Sequence, residues 1–157
     1  MHNHAPENYK CPICLGVQGI ENDDTLIRQT DIVFRDNLAT IFIGSFFVGN
    51  NPGHPIIVPN QHFENLYDLP VEIGARILEL SKNIAVALKD VRRCDGVTIV
   101  QNNEPIGGQH AFHYHMHVFP RFIEDDLHAN MHHSRKTIPD QRISYAQALK
   151  EYYERNF

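Results

Sequence analysis

Residues 70–93 carry the pattern that most restricts the fold. Ile73, Ile77, Leu80, Ile84, Leu88 and Val91 recur every three or four positions. That is the apolar stripe of a helix packed on one side, and Pro70 suits its first turn. Short apolar, β-branched runs flank it: 25–29, 32–35, 38–43 and 54–59 before it, 96–101 and 111–122 after it. Such runs read as strands. Asn50-Asn51-Pro52-Gly53 is turn chemistry. Residues 11–16 read as a tight knuckle, and Ser144 as the cap of a last helix over 145–155. Residues 124–140 are polar and carry no clear element. The order is strands, long helix, strands, helix, with no βαβ rhythm. It predicts an α+β fold, an antiparallel sheet with the helices on one face.

A chain of 157 residues, 42% hydrophobic and 21% charged, is one ordinary globular domain. Residues 1–10 read as a polar lead-in and 11–157 as the domain itself. Net charge is -5, which gives no general grip on a nucleic-acid backbone. The longest apolar stretch, 41–49, is far below the ~20 residues of a membrane helix. The start is polar and unlike a signal peptide. The three cysteines make a poor disulfide framework. A cytoplasmic, soluble protein is the expectation.

Eleven histidines against fourteen Lys and Arg is unusual. Three of them alternate in His113-Tyr114-His115-Met116-His117. On a strand, alternate residues share a face, with Cβ atoms roughly 6.5–7 Å apart at this spacing. Three imidazoles on a bare core face would leave polar nitrogens unpaired, at about 1–3 kcal/mol each. The spacing therefore asks for a metal, an anion or a hydrogen-bond network. The preceding loop favours an anion. Gly107-Gly108 allows close backbone approach, and Asn102, Asn103 and Gln109 add donors. A surface cluster and a three-ligand metal site remain open on spacing alone.

The residues around these histidines carry a resemblance. GGQHAFHYHMHVFPR (107–121) resembles the signature of the histidine triad (HIT) superfamily. The segment Gly53-His54-Pro55-Ile56-Ile57-Val58-Pro59-Asn60-Gln61-His62 is similar to the family's upstream Gly-His segment. Cys11-x-x-Cys14 matches members that carry zinc. The resemblance implies a HIT-like fold, a sheet of about five strands with the long and C-terminal helices on one side. It also implies a homodimer paired through the long helix and a strand.

By the same resemblance, His115 is the nucleophile, attacking the α-phosphate of a nucleotide derivative to give a covalent nucleotidyl-imidazole. His117 helps hold phosphate and His54 supports from behind. Gln109, Gly108 and an asparagine of the loop, assigned to Asn103, meet the phosphate. Cys11, Cys14, His62 and His113 match the four ligands of one structural zinc per chain. Family members usually hold the ribose with an aspartate before Gly-His. Here 43–49 (IGSFFVG) has no carboxylate, and Phe46 and Phe47 are the candidates for a nucleoside contact. The partner is then a small nucleotide, with neither nucleic acid nor membrane. A nucleotide-binding module without turnover and a metal-binding protein are the alternative functions.

Overall fold

The computed structural model describes residues 2–157. Five strands form the main sheet: β1 (Ile32–Arg35), β2 (Ala39–Ile43), β4 (Pro55–Pro59), β6 (Met116–Arg121) and β5 (Gly96–Gln101), in the order β1-β2-β4-β6-β5. Every neighbouring pair is antiparallel. The α+β expectation therefore stands, with an antiparallel sheet of five strands, a long helix and a C-terminal helix.

The long helix, α2 (Val71–Arg92), buries the apolar stripe: Ile73, Ile77, Leu80, Ile84 and Leu88 are all buried. Arg93 follows in the left-handed region at φ 52° and ends it. The stripe packs on Ala39, Ile41, Ile43, Ile57 and Val118, the side chains that β2, β4 and β6 turn to this face. Fully burying one such aliphatic side chain contributes roughly 1.5–3 kcal/mol, so this layer dominates the core. Helix α4 (Asp140–Asn156) adds Ala146, Leu149 and Tyr153 to the same cluster.

The opposite face is covered differently. A short helix, α1 (Pro12–Val17), lies there, and Ile13, Cys11 and Ile27 pack with Phe42 and Val58. Farther along that face Phe119 packs with Val48 and Leu127. The two long helices thus cover one side of β4 and β6, while the other side carries only short elements and the polar side chains of His54, His115 and His117.

Four details differ from the sequence reading. No strand forms over 25–29, because Thr25 Oγ1 takes the Ile27 N–H and gives its proton to the Pro12 carbonyl. A local side-chain bond of this kind competes with a ladder. The strand expected over 111–122 begins only at Met116. Before it, the Tyr114 N–H bonds the Phe63 carbonyl and the His113 N–H turns back to Ala111. The last helix begins at Asp140, with Ser144 inside it. A second small sheet pairs β3 (Phe46–Val48) with β7 (Ser134–Lys136), preceded by the short helix α3 (Leu127–Asn130).

The early start of α4 has a clear cause. Arg142 is buried and fans its guanidinium over Asp31, 2.8 and 2.9 Å to the two carboxylate oxygens. Its remaining N–H groups reach the Thr137 and Leu26 carbonyls. A buried bidentate pair with every donor used ties the helix to the turn before β1.

Candidate functional site

The site is built where β4 and β6 run side by side, with Ile56 opposite His117. His54, one residue before β4, and His117, in β6, turn to the face away from α2. The His54 Nε2 lies 3.0 Å from the His117 Nδ1. Phe119, two positions along β6, stacks under both rings, at centroid distances of 4.1 and 5.6 Å. His115 stands beside His117 at 5.0 Å, its ring nearly perpendicular.

Backbone and neighbouring rings fix the protons. The His115 Nδ1 is 2.7 Å from the His113 carbonyl oxygen, so that nitrogen carries the hydrogen. Its Nε2 then keeps a lone pair. His113 bonds the Pro59 carbonyl through Nε2 at 3.0 Å, which leaves its Nδ1 as a lone pair. Among the described residues the buried His54 Nδ1 has no hydrogen-bond partner. An unpaired acceptor is easier to tolerate than a buried orphan N–H. His54 therefore carries its hydrogen on Nε2 and donates to His117 Nδ1, making His117 Nε2 a donor.

Burial keeps the row neutral. Desolvation pushes His54 down to about 3, with the neighbouring His115 adding to it. His117 is held well below the usual imidazole range by burial, then by His54 and His115. Burial also lowers His115, and its bond to the His113 carbonyl pulls it partly back. A neutral, oriented imidazole with a free Nε2 is a nucleophile at pH 7.

The loop before β6 is tightly bonded within itself. Gly108 takes φ 89°, and its N–H and that of Gly107 turn back to Pro105 and Glu104. Gln109 is buried with both ends of its amide engaged: Nε2 donates to the Glu64 carbonyl at 2.5 Å, and Oε1 accepts from the Glu104 N–H at 2.8 Å. Asn103 exchanges bonds with Gln101 and accepts from the Leu66 N–H. These side chains, expected against phosphate, are used here to shape the loop that leads to His115.

Cys11, Cys14, His62 and His113 converge, their four donor atoms within 4.8 Å of one another. The Cys11 Sγ and Cys14 Sγ each lie 3.4 Å from the His113 Nδ1, and Cys14 Sγ lies 3.4 Å from the His62 Nδ1. A tetrahedral zinc, with Zn–S about 2.3 Å and Zn–N about 2.0 Å, sets sulfur and nitrogen ligands roughly 3.5 Å apart. The donor set fits zinc in type and spacing. The neighbouring Cys14, aided by His113, lowers the Cys11 thiol and favours its thiolate. The same contact and burial push Cys14 upward while only a proton is shared between them.

The aromatic pair divides. Phe47 is buried, edge-on to Tyr145, with Arg135 over its ring, while Phe46 is 42% exposed. Two glycines make room for neighbouring rings. A Cβ at Gly44 would lie 2.9 Å from the His54 ring atoms, and one at Gly53, φ +70°, would strike the Tyr145 ring at 2.4 Å. The Gly-His pair gave a signal for Gly53, whereas nothing local marked Gly44.

The HIT domain family model matches residues 27–124. An uncharacterized HIT-like protein of Saccharolobus solfataricus is 29% identical over 60% of this chain and 66% of its own length. The protein named hit of Bacillus subtilis is 35% identical over 47% of this chain and 51% of its own. The adenosine 5'-monophosphoramidase of Saccharomyces cerevisiae is 33% identical, covering 44% and 41%. The chain thus spans about half to two thirds of the curated relatives named first here. Among solved structures, a zinc-bound histidine triad protein of Mycobacterium smegmatis superposes with TM-score 0.73, covering 93% and 94% at 24% identity. The diadenosine triphosphate hydrolase of Plasmodium falciparum gives TM-score 0.72, covering 100% and 91% at 19% identity. At these identities the superpositions speak to the fold.

Proposed function

The chain belongs to the HIT domain family, and from that premise we propose that it is a nucleotidyl hydrolase or transferase working through His115. The observation that carries this reading is the 2.7 Å contact from the His115 Nδ1 to the His113 carbonyl. It leaves Nε2, the nitrogen that makes no hydrogen bond among the described residues, free to attack. Two similar proteins, one by sequence and one by fold, are named as an AMP phosphoramidase and a diadenosine triphosphate hydrolase. Both names imply a broken bond at a nucleotide phosphorus.

The His115 Nε2 forms a bond to the α-phosphorus as the bond from phosphorus to the leaving group breaks. The His113 carbonyl stabilises the positive imidazole that results, through Nδ1–H. His117 Nε2–H, its tautomer set by His54, donates to a phosphate oxygen. Gly108 brings backbone close to the phosphate, and Gln109 and Asn103 hold that loop in shape. Water or another acceptor then attacks phosphorus and releases His115. Phe46, exposed at the sheet edge, offers a face to the nucleoside, with Phe47 packed behind it.

Cys11, Cys14, His62 and His113 would hold one structural zinc per chain. With all four ligands from the chain, its role there would be structural, fastening the N-terminal knuckle to the residue whose carbonyl orients His115. An apolar groove between α2 and β5, lined by Ala75, Leu78, Ala85 and Ile99, suits a second copy of the chain. Leu78 is 64% and Ile99 46% exposed there. Sedimentation of wild type and Leu78→Asp checks the pairing; an unchanged monomer in both rejects it. None of the described helices is long and apolar enough to cross a membrane.

The test is chemical trapping. Protein incubated with a phosphate-labelled AMP phosphoramidate or dinucleoside polyphosphate should yield an acid-labile, base-stable adduct, lost in His115→Ala. Label of the same amount in His115→Ala, or equal turnover in that variant, rejects the mechanism. Nucleotide binding without adduct or turnover would favour the non-enzymatic module, and metals bound through His115 and His117 the metal-binding protein.

A further inference from the structure

Residues 2–5 do not trail away from the domain. The Asn65 Nδ2 donates to the His2 carbonyl at 3.2 Å and to the Asn3 Oδ1 at 2.9 Å. The N–H groups of His4 and Ala5 both bond the Glu64 carboxylate. The His2 ring stands edge-on to Tyr67 at 5.0 Å.

His4 also reaches across to the loop before β6. Its Nε2 lies 2.9 Å from the Glu104 Oε2, and the Tyr67 hydroxyl donates to the Glu104 Oε1 at 3.0 Å. Glu104 has φ 64° and ψ 156°, a region that is essentially glycine territory. A glutamate persists there only where its surroundings hold it. Its backbone N–H is spent on the Gln109 amide, and its carbonyl accepts the N–H groups of Gly107 and Gln109.

These contacts close a ring. The His4 N–H bonds the Glu64 carboxylate, the Glu64 carbonyl accepts from Gln109, Gln109 accepts from Glu104, and the Glu104 carboxylate meets His4. Every bond runs through a different group, so none can be exchanged for another. Gln109 sits at the buried side of the ring, six residues before His115. His4 and Glu104 sit at the half-open side.

We propose that Glu104, clamped by His4, is a positioning residue that fixes the loop delivering His115, so that the arm of residues 2–5 governs turnover. The proposal rests on the nucleotidyl-transfer reading for its kinetic consequence. His4 is 100 positions from Glu104 in sequence, and among the described residues the arm makes no hydrogen bond with His115 or His117, so its influence passes through Gln109 and the loop backbone.

The test compares wild type with His4→Ala, Glu104→Ala and Glu104→Gln by two readouts, on the whole 157-residue chain with zinc present. The first is hydrogen exchange at the Gly107, Gly108 and Gln109 amides. The second is kcat and KM on an AMP phosphoramidate. Glu104→Ala should speed loop exchange and lower kcat roughly 10- to 100-fold, the scale of a small misplacement of a reacting group. KM and the thermal midpoint should hold. His4→Ala should show the same pattern more weakly, and Glu104→Gln, which still accepts from Tyr67, should recover most of the rate. Unchanged exchange in both alanine variants, or faster exchange with unaltered kcat, overturns the proposal. A wild type that never turns over would reject the nucleotidyl-transfer reading; the exchange arm would then judge the clamp by itself.

Discussion

The His113 carbonyl accepts the Nδ1–H of His115 at 2.7 Å, while the ring of the same His113 points its Nδ1 at both Cys11 and Cys14. One residue therefore connects the Cys/His cluster to the proposed nucleophile. Its side chain belongs to the cluster and its carbonyl orients His115.

Metal removal should act on both. Zinc should be found at one per chain, and Cys11→Ala should lose it. Because the His113 ring would then keep only the Pro59 carbonyl and the Cys14 sulfur as partners, turnover should fall together with thermal stability. Metal analysis, melting curves and activity on the same samples check this. Full activity in a zinc-free, folded Cys11→Ala protein would break the connection.

Stability should decline on acidification through the buried histidines. The folded-state value of His54 is depressed to about 3, and that of His117 lies well below its ordinary range. Above about pH 6.5 both are neutral whether folded or not, and their contribution is fully present. Below it the unfolded chain takes up protons that the folded chain refuses, so stability is lost as pH falls from about 6.5 toward 3. Each such group adds a slope approaching ~1.4 kcal/mol per pH unit. Urea unfolding across that window should show a shallower slope for His54→Asn. Identical slopes would remove His54 as the source.

Gly44 should tolerate no side chain. Its missing Cβ leaves the room that the His54 ring fills, 2.9 Å from where that carbon would stand. Gly44→Ala must displace His54, and with it the donor that sets the His117 tautomer. We expect a cost of about 1–3 kcal/mol, typical of overpacking, and a drop in kcat on the order of tenfold or more. Kinetics and denaturation of that one variant decide it; wild-type values in both would show that the ring can shift freely.

The Arg142–Asp31 pair should be costly to break from one side. Arg142→Met leaves the Asp31 carboxylate buried beside an apolar chain, a loss of about 3–5 kcal/mol. Arg142→Met combined with Asp31→Asn should recover part of it. Equal losses in single and double variants would mean that the carboxylate finds water.

The sequence by itself determined the pattern-bearing parts. Spacing of 3.6 fixed α2, and β-branched runs fixed β2, β4 and β5, because those periods match a one-sided or buried element directly. The alternating histidines and Cys11-x-x-Cys14 were legible because rare residue types recur there at short spacing, and their roles were assigned through the family resemblance. Tertiary structure decided the rest. Tyr114 bonds Phe63 rather than a strand partner, so β6 is shorter than its alternation suggested. Thr25 and Arg142 spend their polar groups on contacts that no local pattern announces. Gln109 turned out to hold its loop through Glu64 and Glu104, residues 45 and 5 positions away. Local periodicity records which face of an element is buried. It does not record which distant group will satisfy a given donor, and that pairing sets the geometry of this site.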